Sequence, residues 1–212
     1  MKLTKSIVLT VLYFISLETI GSWVFLIPVE TEYLDLLKAT HLINSVVTLI
    51  VLIIVFKLIK RPDLLAFKKT KTKFYFFGIL LGVGFVFFQS VLNIVYYREI
   101  STEIFNYGFR LDRLTSLNVI ALIMIVPFTE ELFFRNYLHS AFLKNYKPLV
   151  SIIITSLLFA FIRVPFGSLF FEFLEFSFHQ AYFAIFGGLI SEILFYNSKS
   201  VTPSIVFRVI WN

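Results

Sequence analysis

The sequence predicts an all-α fold, a polytopic transmembrane bundle of about six to eight helices built as a single integral membrane domain over residues 1–212. Three observations predict it. Hydrophobic residues make up 58% of the chain and charged ones only 15%, with a mean hydropathy of +0.88. Apolar runs of roughly 18 residues or more recur, the length a helix needs to cross a bilayer. Lys and Arg gather in particular connecting segments, as they do in the cytoplasmic loops of membrane proteins. That clustering gives the net charge of +6 a membrane meaning, with the lipid bilayer as partner and no nucleic acid. The chain has no cysteine, which excludes disulfides, cysteine-ligated zinc and thiol nucleophiles.

Lys2 and Lys5 precede an apolar run from Ser6 to Ile27 interrupted only by Glu18. A signal-peptide core is roughly 7–15 residues, so this longer run reads as the first transmembrane helix. Glu30, Glu32 and Asp35 then mark an external segment, and Leu42 to Phe56 is the second helix. Lys57, Lys60, Arg61, Lys68, Lys69, Lys71 and Lys73 follow against the single acid Asp63, which places this loop and the amino terminus in the cytoplasm, the protein sitting in the cell (plasma) membrane. The third helix, Phe74 to Tyr97, contains Gly78, Gly82 and Gly84, small residues that let helices approach closely.

The balanced charges of Arg98 to Ser116 predict an external connection, and Leu117 to Leu138 a fourth helix, with Lys144 and Lys147 inside. Pro148 to Ile162 is the fifth helix, ended by Pro165 and Gly167. Leu169 to Asn197 is apolar again, with Glu172, Glu175 and His179 spaced to share one face and Gly187-Gly188 as a close-packing point. The final stretch, Pro203 to Asn212, is too short to span and ends within the bundle.

The fourth helix carries the chemistry. Its ionisable groups are Glu130, Glu131 and Arg135, and ionisable residues at membrane depth point to function. Glu131 and Arg135 are i and i+4 with the acid first, the favourable order for an ion pair. Glu130 is turned about 100° away around the axis and needs a partner from another helix. Arg163 and Arg208 are the candidates, with Asn212 one turn after Arg208.

Glu130-Glu131-x-x-x-Arg135 resembles the EExxxR signature of the CPBP intramembrane proteases, the CAAX endopeptidase and bacteriocin-processing or self-immunity (Abi) family. Phe159-Ala160-Phe161-Ile162-Arg163 and Arg208-Val209-Ile210-Trp211-Asn212 stand where that family has its FxxxH and HxxxN motifs, so the similarity covers a core of about residues 97–212. The resemblance implies a helical membrane fold and catalytic positions at Glu130, Glu131 and Asn212, with Arg135, Arg163 and Arg208 forming a substrate or ion-pair site. Both motif histidines are replaced by arginine, whose guanidinium has no lone pair with which to take a proton or bind a metal. Two carboxylates and three arginines carry a formal charge of +1, and cations beside Glu130 make it a poorer base.

The leading reading is therefore a catalytically degenerate family member, a pseudoenzyme that binds a membrane peptide or partner protein in an immunity or regulatory role, with no cofactor and no metal. The alternative is an active intramembrane protease with an altered site, in which Arg208 and Asn212 hold an oxyanion. A proton-coupled transporter using Glu18, Glu130, Glu172 and His179 is a third class. His139 and His179 read as structural histidines, and His41 as a loop residue without a role.

Overall fold

The computed structural model describes residues 3–22, 39–98, 117–166 and 177–212. They form seven helices: α1 (Leu3–Ser22), α2 (Thr40–Leu58), α3 (Thr72–Tyr97), α4 (117–142), α5 (Pro148–Phe161), α6 (His179–Ser198) and α7 (Thr202–Trp211). A 3-10 turn, Pro62–Leu65, follows α2. No strand occurs among the described residues. Two helices, Thr40–Leu58 and Thr72–Tyr97, are long and apolar enough to cross a membrane, with mean hydropathies of 2.3 and 2.0. The acidic segment around Glu30, the stretch from residue 99 to 116, and Glu172 with Glu175 lie outside the described residues.

The chain forms two compact units: Met1–Phe67 with Asp112–Tyr146 and Asn212, and Lys68–Leu111 with Lys147–Trp211. In the first, α1, α2 and α4 pack through an aromatic ladder. Tyr13 stacks on Phe133 at 3.8 Å between ring centroids, Phe133 meets Phe134 and Tyr137, and Phe56 meets Tyr137. Polar side chains in these apolar helices bond to their own backbone. Thr10, Ser16, Ser45 and Thr48 donate to carbonyls three or four residues earlier, which removes the cost of a bare hydroxyl in hydrocarbon. The loop end of the unit is fixed by the bidentate Arg61–Asp63 pair, both contacts 2.8 Å, and by the Asn136 amide donating to the Leu64 carbonyl at 2.8 Å.

In the second unit, α7 lies on α3 and α6 through glycines. A Cβ added at Gly78 would come within 2.7 Å of the Pro203 carbonyl oxygen, and one at Gly82 within 2.9 Å of the Ile210 Cβ. At Gly187 it would enter the Trp211 ring, at 2.3 Å. Gly84 faces open space, with nothing within 4 Å, so only two of the three α3 glycines serve helix approach. Inside are Phe85, Leu92, Phe183, Leu194 and Phe207, with Trp211 against Phe85. The large apolar residues Phe76, Leu80, Phe87, Val91 and Val95 of α3 point outward, an arrangement suited to lipid rather than water. Positive charge collects at one end of this unit, where Thr70 donates to the Ser198 carbonyl and the Ser200 hydroxyl to the Lys68 carbonyl. Lys199 adopts the left-handed conformation there (φ 55°) and closes α6.

Candidate functional site

The Glu-Glu-x-x-x-Arg segment sits on a helix that departs from α geometry on both sides. Within α4, residues Ala121–Ile125 and Leu132–His139 are π-helical, and the α-helical turn Val126–Glu131 between them carries Pro127, Glu130 and Glu131. π segments are uncommon and concentrate at functional sites, because each wider turn re-aims the side chains beyond it.

Proline explains part of the first departure. In π register the Val126 N–H donates to the Ala121 carbonyl. The donor due to the next carbonyl, that of Leu122, would be residue 127, and proline has no N–H. The Asn212 side-chain amide fills that place, donating to the Leu122 carbonyl at 3.0 Å.

The two carboxylates have different surroundings. Glu131 is fully buried and its Oε2 meets the Arg135 Nε at 3.0 Å, with Arg135 equally buried. In so dry a place the pair must be made, since a lone ion would carry a desolvation cost of several kcal/mol. His139, one turn further, is also fully buried. Glu130 is nearly buried but lines a cavity of about 140 Å3, large enough for several waters. The facing wall is α2: His41, Asn44, Ser45 and Thr48 occur at i, i+3, i+4 and i+7, one polar stripe along an otherwise apolar helix, and all four line the cavity together with Thr129. His41 is thus not a loop residue but part of the first turn of α2, on the wall of the Glu130 cavity. Its signal was present in the sequence as a polar residue every three or four positions through a membrane span.

In the second unit, Arg163 and Arg208 converge on one aromatic ring. The guanidiniums of Arg163 and Arg208 lie 5.6 and 4.9 Å from the centre of the Phe159 ring, and Arg208 also lies 4.2 Å from Trp211. Phe159 and Arg208 are buried, so the contact between them is a desolvated cation–π contact worth up to about 2 kcal/mol, whereas Arg163 is only half-buried. Glu192 of α6 is fully buried as well, a membrane-depth carboxylate that the sequence reading passed over although its charge within an apolar run was the signal. His179 places its ring nitrogen 2.7 Å from Asn93 Oδ1 among Tyr96, Tyr97 and Phe183. That setting is structural, and among the described residues no group of three or more His, Asp or Glu is placed to hold a metal ion.

The all-helical described residues, two of whose helices are long and apolar enough to cross a membrane, define a helical membrane protein with buried ionisable side chains in each unit. Residues 112–212 match the family model described as type II CAAX prenyl endopeptidase Rce1-like. The match contains the Glu130–Arg135, Phe159–Arg163 and Arg208–Asn212 segments. No curated protein and no solved structure matches the chain.

Proposed function

We propose that the protein binds a hydrophobic membrane peptide or partner protein at the Glu130 side of the first unit, and that the histidine-dependent hydrolysis implied by the family it resembles is closed in it. It would do so in the cell membrane with its amino terminus in the cytoplasm, in an immunity or regulatory role that holds a peptide rather than cutting it. What supports this reading is that Arg163 and Arg208 stand where the motif resemblance expects histidines. A guanidinium stays protonated and offers donors only, so neither residue can take a proton from water.

The test is cleavage of membrane peptides by wild type and by the Arg163→His, Arg208→His double variant, side by side with peptide binding. Wild type is expected to bind without cleaving. Cleavage by wild type that is lost in the double variant would assign catalysis to the arginines and end this reading. Hydrolysis at an altered site is the second reading, favoured by the cavity beside Glu130 with His41 on its wall. It requires wild-type cleavage that Glu130→Gln abolishes.

A further inference from the structure

Two cavities of the first unit have Tyr137 in common. One, of about 50 Å3, has Arg61, Asn136, Ser140 and Lys144 on its wall. The Asn136 amide there already donates to the Leu64 carbonyl at 2.8 Å and the Ser140 hydroxyl to the Arg135 carbonyl at 3.3 Å. Arg61 gives its Nε and Nη2 to Asp63, each at 2.8 Å, so three of the five N–H groups of its guanidinium remain for a guest. Lys144 is exposed and brings an ammonium with three donors. Asp63 is not on the wall, and two cations against this one acid leave a charge of +1 around the cavity. A singly charged anion with several acceptor oxygens matches both the charge and the donors.

The other cavity, of about 100 Å3, lies between α1, α2 and α4 among Leu9, Leu12, Val51, Val55, Ile59 and Phe133. Ser16 on its wall has its hydroxyl on the Tyr13 carbonyl at 2.7 Å, and the remaining lining is aliphatic and aromatic, a place for hydrocarbon rather than water. From Ile59 to Val51 it follows α2 inward for about 12 Å at the α-helical rise, beginning at the end of the helix where Arg61 stands. A cationic cavity at the helix end and an apolar one running inward from it, with one tyrosine on both walls, together have the polarity of an amphiphile. We infer that the pair binds one anionic phospholipid, with its phosphodiester between Arg61 and Lys144 and an acyl chain laid past Tyr137 into the apolar cavity. A free phosphate or an acidic peptide would use the cationic half alone. Basic pockets between membrane helices at the cytoplasmic face hold anionic headgroups, and this is the end expected to lie on that side. Glu130 takes no part, so the inference stands apart from the peptide-binding reading.

The experiment is a native mass-spectrometric titration of the full chain in neutral detergent with dioleoyl phosphatidylglycerol, with dioleoyl phosphatidylcholine, and with glycerophosphoglycerol, the first lipid's head without its chains. Phosphatidylglycerol is expected to bind roughly tenfold or more tightly than phosphatidylcholine, the scale of one hydrogen bond to a charged group. Lys144→Gln should remove most of that preference and leave phosphatidylcholine binding unchanged. Lys69→Gln, which deletes the same charge from the surface of the second unit, should change neither. Val55→Phe, which fills the apolar cavity, should weaken both lipids. Equal affinity for the two lipids would overturn the proposal. So would equal losses from Lys144→Gln and Lys69→Gln, which would mean attraction to surface charge in general, or displacement of the lipid by an equimolar amount of glycerophosphoglycerol, which would mean a site for the head alone. Should Val55→Phe fail to fold by thermal melting, the lipid pair, the chain-free head and the two lysine variants still decide.

Discussion

Glu131 and Arg135 meet with both side chains fully buried, and the value of that contact lies in what its loss would expose. Removing one member leaves a stranded ion, whereas removing both leaves apolar surroundings. Glu131→Ala and Arg135→Ala are each expected to cost about 3–5 kcal/mol, and the double variant clearly less than their sum, as read in a thermal-unfolding cycle. Simple additivity would mean that the two charges are stabilised elsewhere. This pair was legible in advance because helical spacing alone brings i and i+4 together. Glu130 was legible as a group turned elsewhere, but its cavity was not, since the far wall comes from α2, some eighty positions earlier in the chain. The polar residues of that wall are individually ordinary in a membrane helix, and only their common face gives them meaning. Glu192 shows the opposite error, a single charge overlooked because no motif framed it.

Among the elements, α3 separates two uses of glycine. Gly78 and Gly82 lie under α7, whereas Gly84 faces outward with nothing near it. Gly78→Ala is expected to destabilise by about 1–3 kcal/mol, because the nearest atom is a backbone oxygen that cannot swing away. Gly84→Ala should be neutral or slightly stabilising, as an alanine in a helix gives up less backbone freedom. Thermal melting of the two variants in one detergent checks both, and equal losses would show that α7 does not pack there. Composition and period placed the helices, since both depend on local sequence. The π segments of α4 were not foreseen, because their register depends on a proline and on the partners of carbonyls, which hydropathy does not record.

At the scale of the whole molecule, the remaining expectation is orientation. The Lys68–Lys73 stretch and the Lys199 turn share one end of the second unit, tied by hydrogen bonds, and the expectation is that this end faces the cytoplasm. Single cysteines at Thr31 and Lys69, in a chain that has none, should react with a membrane-impermeant thiol reagent from opposite faces. Labelling of both from outside would reverse the topology. A dependency of another kind spans the length of the fold. Asn212 supplies the Leu122 carbonyl with the donor that Pro127 withholds, across ninety positions of sequence. The two residues are therefore expected to show epistasis. Asn212→Ala should harm the protein in the Pro127 background and much less beside Pro127→Ala, where the backbone again has its own N–H. A deep mutational scan read one substitution at a time would record Asn212 as indispensable, and would miss that its importance is conditional on an imino acid elsewhere in the gene product.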